Sequence, residues 1–538
     1  MSIAPEPRRL LPSLLLALVL SACNDSNGPP PTVTVPLETM EAAAEAATED
    51  MARFLSGAIQ FASVEPEGPV LLPETDALLE YALAQGREIG FTSRRAANGL
   101  VGVLEYGSGE EVVGVLIHLD VVPPGDLSDW DHPPFDGVIA DGTVFGRGAQ
   151  DDKAALPGIL WGAKILIDND MTFSRRLRII LGTKEETSFE DVRTYFAEEE
   201  PPDFGLAPDG PFIVRGESGY VDLGYAFSGL AAGTGARDAV VFWDGGTVIN
   251  SVPDLSWAVI RSSDPAATLS ELENLIAQVK QEFTRGDKVP DLEVVPYDDF
   301  IADEGLTGIP DGDLVLVSHG LIAHSSIPAT GRNAIVEVAL VGARMTDLAP
   351  NAFRSAFEFV DEEIGLSTDG SGFGLERDKP FPQAADTTAS LDLVRTDPAA
   401  DRVELAINFR VGLANTTTEI TEKSGSAASG YGASTRTIGA AFDAYHYPDD
   451  DPLLQLMVGS YKEVRGSDPI LLSVGGTTYA KAAPNLLCYG PVDLGEDGLY
   501  FHFANEQFPV ASLTRNAVLY AHALQTLIQT PESPVRPR

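Results

Sequence analysis

The stretch GVLIHLDVVP, residues 114–123, is a run of Val, Leu and Ile that reads as a buried strand and ends in His118 and Asp120. Alternate positions on a strand face the same side, so the imidazole and the carboxylate point together. One His-x-Asp pair is ordinarily a polar strand end facing water, but this one has company. GRGAQDDK (146–153) brings Asp151 and Asp152 to the start of a predicted helix, and GTKEET (182–187) puts Glu185 and Glu186 after a predicted strand. PDG (208–210) offers Asp209 in a loop, and HFANE (502–506) offers His502. Strand ends are where α/β folds place their ligand sites. Gathered and buried, these carboxylates could not all stay ionised without cations. Two divalent ions would cancel most of the charge. Mixed imidazole and carboxylate donors suit zinc, with manganese or cobalt as alternatives. A ligating imidazole needs an acceptor on its second nitrogen, and Asp120 is placed to supply one to His118.

These side chains need a frame. Helices are expected from Glu38 to about Ala62, Thr75 to about Ile89 and Lys153 to Asp168; strands are expected at Gly99–Tyr106, Val112–Leu119 and Leu177–Gly182. Strands alternating with helices predict an α/β sheet covered on both faces. From about Gly219 the texture changes. YVDLGYAF, DAVVFW and AIVEVALVGA read as strands, Thr268–Phe283 and Ala352–Glu363 as helices, and together they predict an inserted α+β domain. The stretch 416–433, rich in Ser, Thr and Gly, reads as a long loop, and Val510–Ile528 as a helix announced by Pro509.

The expected division is a leader at 1–22, a lipidated cysteine and linker at 23–37, a catalytic domain at 38–218 and 445–538, and the inserted domain at 219–444. Arg8 and Arg9, an apolar run to Leu20, and then Ser21-Ala22-Cys23 form an export signal too short for a membrane span. The cysteine after Leu-Ser-Ala resembles a bacterial lipobox, which implies cleavage before Cys23 and lipid on its sulfur. Asn24 next to it favours the outer membrane by analogy. Cys488 is the only other cysteine among 538 residues, so a lipidated Cys23 leaves no internal disulfide. Eighty acidic residues against 36 basic give a net charge of -44, which repels nucleic acid.

The ordered segments HLDVVP, Trp130 with Pro134-Phe135, DGTVFGRGAQDDK, GTKEET, APDGPFIVRGESG, AHSSIPATGRNA, INFRV, GGTTYAK and HFANE span roughly residues 45–530. In them the chain resembles the co-catalytic zinc metallopeptidases that include aminoacylase, carnosinase and glutamate-releasing carboxypeptidase. It is most similar to the PepV-type bacterial dipeptidases. The resemblance implies one zinc on His118, Asp151 and Asp209 and another on Asp151, Glu186 and His502, with Asp151 bridging. It also implies a cis peptide between Asp151 and Asp152, and Glu185 as general acid/base. Two such metals can lower the pKa of a water from ~15.7 toward ~7, and Glu185 would take its proton. His324 would help stabilise the oxyanion, and Asn250 would contact substrate. Arg410 would bind the substrate carboxylate, helped by backbone donors at Gly475, Gly476 and Thr477. Thr477 and Lys481 replace a usual glycine and arginine, in the region expected to meet the substrate's carboxyl end.

A long inserted domain implies a lid that closes the site within one chain, hence a monomer acting on short unblocked peptides. Two rivals share the motifs. One is a deacylase or desuccinylase for N-acyl amino acids on the same metals; the other is a surface lipoprotein that binds peptides or metals without turnover.

Overall fold

The computed structural model describes residues 32–535, apart from 67, 283–288, 305 and 377–386. The leader, Cys23 and most of the linker lie outside the described residues. A nine-stranded mixed sheet is built around Val112–His118, which lies parallel between Arg176–Gly182 and Phe204–Ala207. Its side chains alternate between two cores. Val113, Val115 and Ile117 enter one, and Leu116 enters the other with Val101, Val103 and Ile180. A strand covered on both faces must be apolar throughout, which is why GVLI carries no polar group before its end. Helices Leu37–Ala46 and Thr48–Ile59 replace the single one expected at 38–62.

Helix Ala155–Asp168 follows the Asp151-Asp152 turn and packs on Val510–Gln529, the long helix near the C-terminus. The two approach closely through glycine: a Cβ on Gly162 would stand 2.9 Å from the Ala521 amide nitrogen. This contact anchors the C-terminal segment that carries His502 against the helix beginning just after Asp151.

The second sheet has eight strands, all paired antiparallel, drawn from Gly219–Ser228 through Ser434–Phe442. One face is apolar: Val221, Leu223, Tyr225 and Phe227 alternate inward, as do Ile407, Phe409 and Val411. The chain is thus an α/β fold with an inserted α+β domain.

Two sequence expectations are corrected here. AIVEVALVGA forms a buried helix, Ala334–Ala343, with the Asn333 side chain capping the Val336 amide. Nine apolar residues around the single charge of Glu337 fit either a covered strand or a fully buried helix, and the cap decides. Residues 416–433 are not a loop but largely helix Thr417–Gly430, opened by a capping box between Thr416 and Glu419. Among the described residues no helix is long and apolar enough to cross a membrane.

Candidate metal centre

His118 is the last residue of its strand and pairs with Gly182, the last of the neighbouring one. Thr183 to Glu186 therefore turn over the strand ends beside it. A turn buried there needs partners for its amides. Two buried carboxylates supply four. Asp191 accepts from the Thr183 and Lys184 nitrogens at 2.5 and 3.1 Å, and Asp120 from Glu185 and Glu186 at 3.2 and 3.0 Å. The Tyr479 hydroxyl also donates to Asp191, at 2.5 Å. Beneath the turn, Lys184 is wholly buried and meets Glu65 at 2.6 Å.

Asp120 acts through different atoms than expected. His118 Nδ1 faces its backbone carbonyl at 3.0 Å, while the nearer carboxylate oxygen is 3.6 Å away. The carbonyl orients the ring and the carboxylate holds the Glu185-Glu186 turn. With Nδ1–H donated to the carbonyl, Nε2 keeps its lone pair toward the cluster.

The remaining donors converge on Asp151. Its Oδ1 lies 3.0 Å from His118 Nε2 and its Oδ2 lies 3.2 Å from His502 Nε2. His118 Nε2 is 3.7 Å from Asp209, and His502 Nε2 is 3.2 Å from Glu186. His118, Asp151 and Asp209 thus form one cluster of possible ligands, and Asp151, Glu186 and His502 another. A third grouping joins His118 to Glu185 and Glu186. The Asp151–Asp152 peptide is cis.

This donor set fits divalent cations. Tetrahedral ligand bonds of ~2.0–2.2 Å put donor atoms roughly 3.3–3.6 Å apart, and the separations above bracket that spacing. The charges agree. Burial, and then repulsion from neighbouring carboxylates, pushes Glu185, Glu186 and Asp209 above the ordinary range. Burial also opposes the charge on Asp151, but hydrogen bonds from the two imidazoles win and hold it low. His502 is pushed up to about 11, first by Asp151 and then by Glu186. A cavity that draws protons this strongly onto imidazole is one that divalent cations would neutralise. Glu185 Oε1 is buried and has no hydrogen-bond partner among the described residues.

Residues not singled out from the sequence lock this centre. Glu506 accepts from the Gly148, Gln150 and Asp151 nitrogens at 3.0, 2.8 and 3.0 Å, and pairs with buried Arg147 at 2.6 Å. Its signal was its place four residues after His502 in HFANE. Asp191 had none, because its partners come from distant segments.

The lid brings a second group to the same place. Ser325 N–H donates to the Asn250 carbonyl at 3.0 Å, so Asn250 and His324 lie side by side. His324 is exposed. Ser326 N–H donates to its Nδ1 at 3.1 Å, which leaves the proton on Nε2. Its pKa is lowered first by partial shielding of the ring from water and then by the charges of Arg410 and His502. A Cβ on Gly475 would sit 3.5 Å from Ser326 Cβ, so the lid's His324 loop touches the GGTTYAK loop of its own chain. Gly476 is exposed and Thr477 half-buried. Lys481 is buried; its ammonium donates to the Ser218 carbonyl and to Thr477 Oγ1 (3.1 Å) and stands 3.7 Å from Glu217, and the charges of Arg410 and Glu185 also act on it.

A family model described as Peptidase family M20/M25/M40 matches residues 114–526. The chain is similar, at 29% identity over 455 residues, to the Bacillus subtilis protein named "Putative dipeptidase YtjP", covering 84% of this chain and 90% of that one. A Staphylococcus haemolyticus protein, "Putative dipeptidase SH1171", is 26% identical over 456 residues with the same shares covered. Among solved structures, human carnosine dipeptidase 1 matches with a TM-score of 0.51 at 14% identity, over 92% of this chain and 100% of that one. An M20 family metallo-carboxypeptidase from Sulfolobus solfataricus matches with a TM-score of 0.53 at 13% identity, over 89% and 99%. At these identities the two structures speak for the fold.

Proposed function

Since the chain belongs to peptidase family M20/M25/M40 and is a metal-dependent hydrolase acting on peptides, we propose that it cleaves the single amide bond of unblocked dipeptides. One cation would be held by His118, Asp151 and Asp209, the other by Asp151, Glu186 and His502; zinc suits both sets, with manganese or cobalt as substitutes. The observation that carries this reading is the sharing of Asp151, which turns one carboxylate oxygen to each imidazole. The dipeptidase names of the relatives support the substrate class.

When bound, the cations supply Lewis acidity, which acidifies water and polarises a carbonyl. The protein does the rest. Glu185 takes a proton from the attacking water and returns it to the leaving nitrogen. It can do so because its Oε1 has no other partner and because Asp120 fixes its backbone. His324, neutral and with its proton on Nε2, donates to the oxygen on which charge develops. Arg410 takes the substrate's C-terminal carboxylate. Its guanidinium makes no ion pair among the described residues, although the charges of Asp222 and Asp392 act on it, and its Nε is buried without a partner, which leaves it able to take an anion. Asn250 and the Gly475–Thr477 backbone flank the same space. The contact of Gly475 with Ser326 within one chain supports a closed site in a monomer. The Leu20-Ser21-Ala22-Cys23 sequence supports export and a lipid anchor at a bacterial envelope.

The test compares Ala-Ala with N-acetyl-Ala-Ala and N-acetyl-Ala on metal-loaded protein. Hydrolysis of Ala-Ala, with the acetylated compounds at least ~100-fold slower, is expected. Preference for the acetylated compounds would make the protein a deacylase instead. No turnover of any of them would leave a binding protein.

A further inference from the structure

Tyr220 is the second residue of the lid strand Gly219–Ser228, just past the crossing from the catalytic sheet. Its register neighbour on one side is Arg410 and on the other Phe442. Directly opposed residues on paired strands project to the same face, so the phenol and the guanidinium stand together. Arg410 Cζ lies 5.8 Å from the centre of the Tyr220 ring, within range of a cation–π contact. On the other flank Phe442 holds the ring at 5.6 Å. Phe442 in turn lies 4.9 Å from Phe189, three residues beyond Glu186. The ring is therefore pinned between the carboxylate clamp and the turn that carries Glu185.

The Tyr220 hydroxyl makes no hydrogen bond among the described residues, although the residue is half-buried. Burial comes first, and with the charges of Asp222 and Glu185 it outweighs Arg410 and Arg193, so the phenol is pushed up to about 12. It is a neutral donor throughout the working range of a hydrolase. A donor without a hydrogen-bond partner among the described residues, beside a guanidinium that makes no ion pair among them although the charges of Asp222 and Asp392 act on it, offers two points of contact to one anion.

We propose that Tyr220 is a substrate-binding residue whose hydroxyl donates to the substrate's C-terminal carboxylate alongside Arg410. This rests on the assignment of Arg410 to that carboxylate. The two donors fix both oxygens, so the peptide's scissile bond is aimed at the metal centre as well as held near it. Tyr220 adds its hydroxyl to that recognition from beside Arg410.

The experiment measures kcat/KM for Ala-Ala and for its C-terminal amide, using metal-loaded wild type, Tyr220→Phe and Arg410→Met, with metal content and melting temperature of each. Wild type is expected to prefer the free acid. Tyr220→Phe should lose about tenfold on the acid, mainly through KM, equivalent to ~1.4 kcal/mol, and less than twofold on the amide. Arg410→Met should erase the preference. If Arg410→Met erases it and Tyr220→Phe leaves it intact, Tyr220 is not a carboxylate donor and the Arg410 assignment stands. If Tyr220→Phe slows acid and amide equally, the hydroxyl acts elsewhere and the proposal is overturned. If wild type does not distinguish acid from amide, the Arg410 assignment itself falls.

Discussion

The two sheets use polar residues in opposite ways. The catalytic sheet is apolar on both faces, so its chemistry is confined to the strand ends, where His118, the Glu185-Glu186 turn and Asp209 emerge. The lid sheet has one face that is apolar throughout and a second that is divided: Phe242, Trp257, Val259, Val315 and Val317 form a smaller apolar cluster with Phe300. Elsewhere on that second face, strands Gly219–Ser228 and Arg402–Val411 carry Tyr220, Asp222, Asn408 and Arg410 in register; Asn408 donates to Asp222 at 2.6 Å. Ser325 donates to Asp392 at 2.6 Å, and Ser390 donates to the same carboxylate. In the first region acids crowd and call for metal cations. In the second they are spaced and satisfied by hydroxyl and amide donors. On the proposed reading the first reacts and the second holds and aims.

The sharpest break of that contrast lies inside the metal centre, between a ligand and its neighbour. Glu185→Gln is expected to keep both cations and lose at least ~100-fold in kcat, as removal of a general base does. Asp151→Asn is expected to lose cations from both positions, with activity at background, because the shared carboxylate serves each. Metal analysis beside single-turnover rates separates the two. Near-normal turnover in Glu185→Gln would remove its assigned role, and two retained metals in Asp151→Asn would remove the bridge.

The same contrast explains what could be read from the sequence. Strand-end residues come in short dense motifs: His118 with Asp120, Asp151 with Asp152, Glu185 with Glu186. Density is visible without a structure. The polar face of the lid is dispersed, since a face is occupied by every second residue of strands that meet from distant positions. Tyr220 and Arg410 are 190 positions apart in sequence and neighbours only through register. Arg410 was found because a family motif surrounds it; Tyr220 has none. Helix Thr417–Gly430 was hidden for a different reason. Its Ser- and Gly-rich composition favours loops, and what outweighs composition there is a capping box and the burial of Ile420, Ser424 and Ala428. AIVEVALVGA failed through period: a run that is apolar at every position but Glu337 has none to show.

A smaller effect is expected one step outside the ligands. Glu506 touches no candidate metal position, yet its two oxygens hold three amides of the 148–151 loop. Glutamine keeps one accepting oxygen and turns an N–H toward amides that need an acceptor. Glu506→Gln should weaken cation retention about 10–100-fold, as loss of an orienting group does, with kcat recovered at saturating metal. Chelator competition checks this. Unchanged retention would mean that the 148–151 loop keeps its place without the Glu506 carboxylate.

The smallest effect tests the lid side. Burial, opposed by hydrogen bonds from Ser325 and Ser390, pushes the Asp392 carboxyl up to about 8. The unfolded chain releases this proton near pH 4, whereas the folded lid keeps it until about pH 8. Between those limits the folded state binds more protons, so its stability falls as pH rises. Glu337, raised to about 7 chiefly by burial, adds a slope of the same sign. Wild-type lid stability should therefore drop measurably between pH 5 and pH 8. Asp392→Asn, which is neutral throughout, should flatten part of that drop and match wild type at pH 5. Urea unfolding of metal-loaded protein, followed in a variant whose remaining tryptophans are Trp243 and Trp257 of the lid, measures it. A metal-loaded catalytic region responds the other way, because acid protonates the ligands and releases the cations. Equal slopes in the two regions would show that acids in the lid are managed as they are at the strand ends, and the division between a reacting sheet and an aiming one would fail.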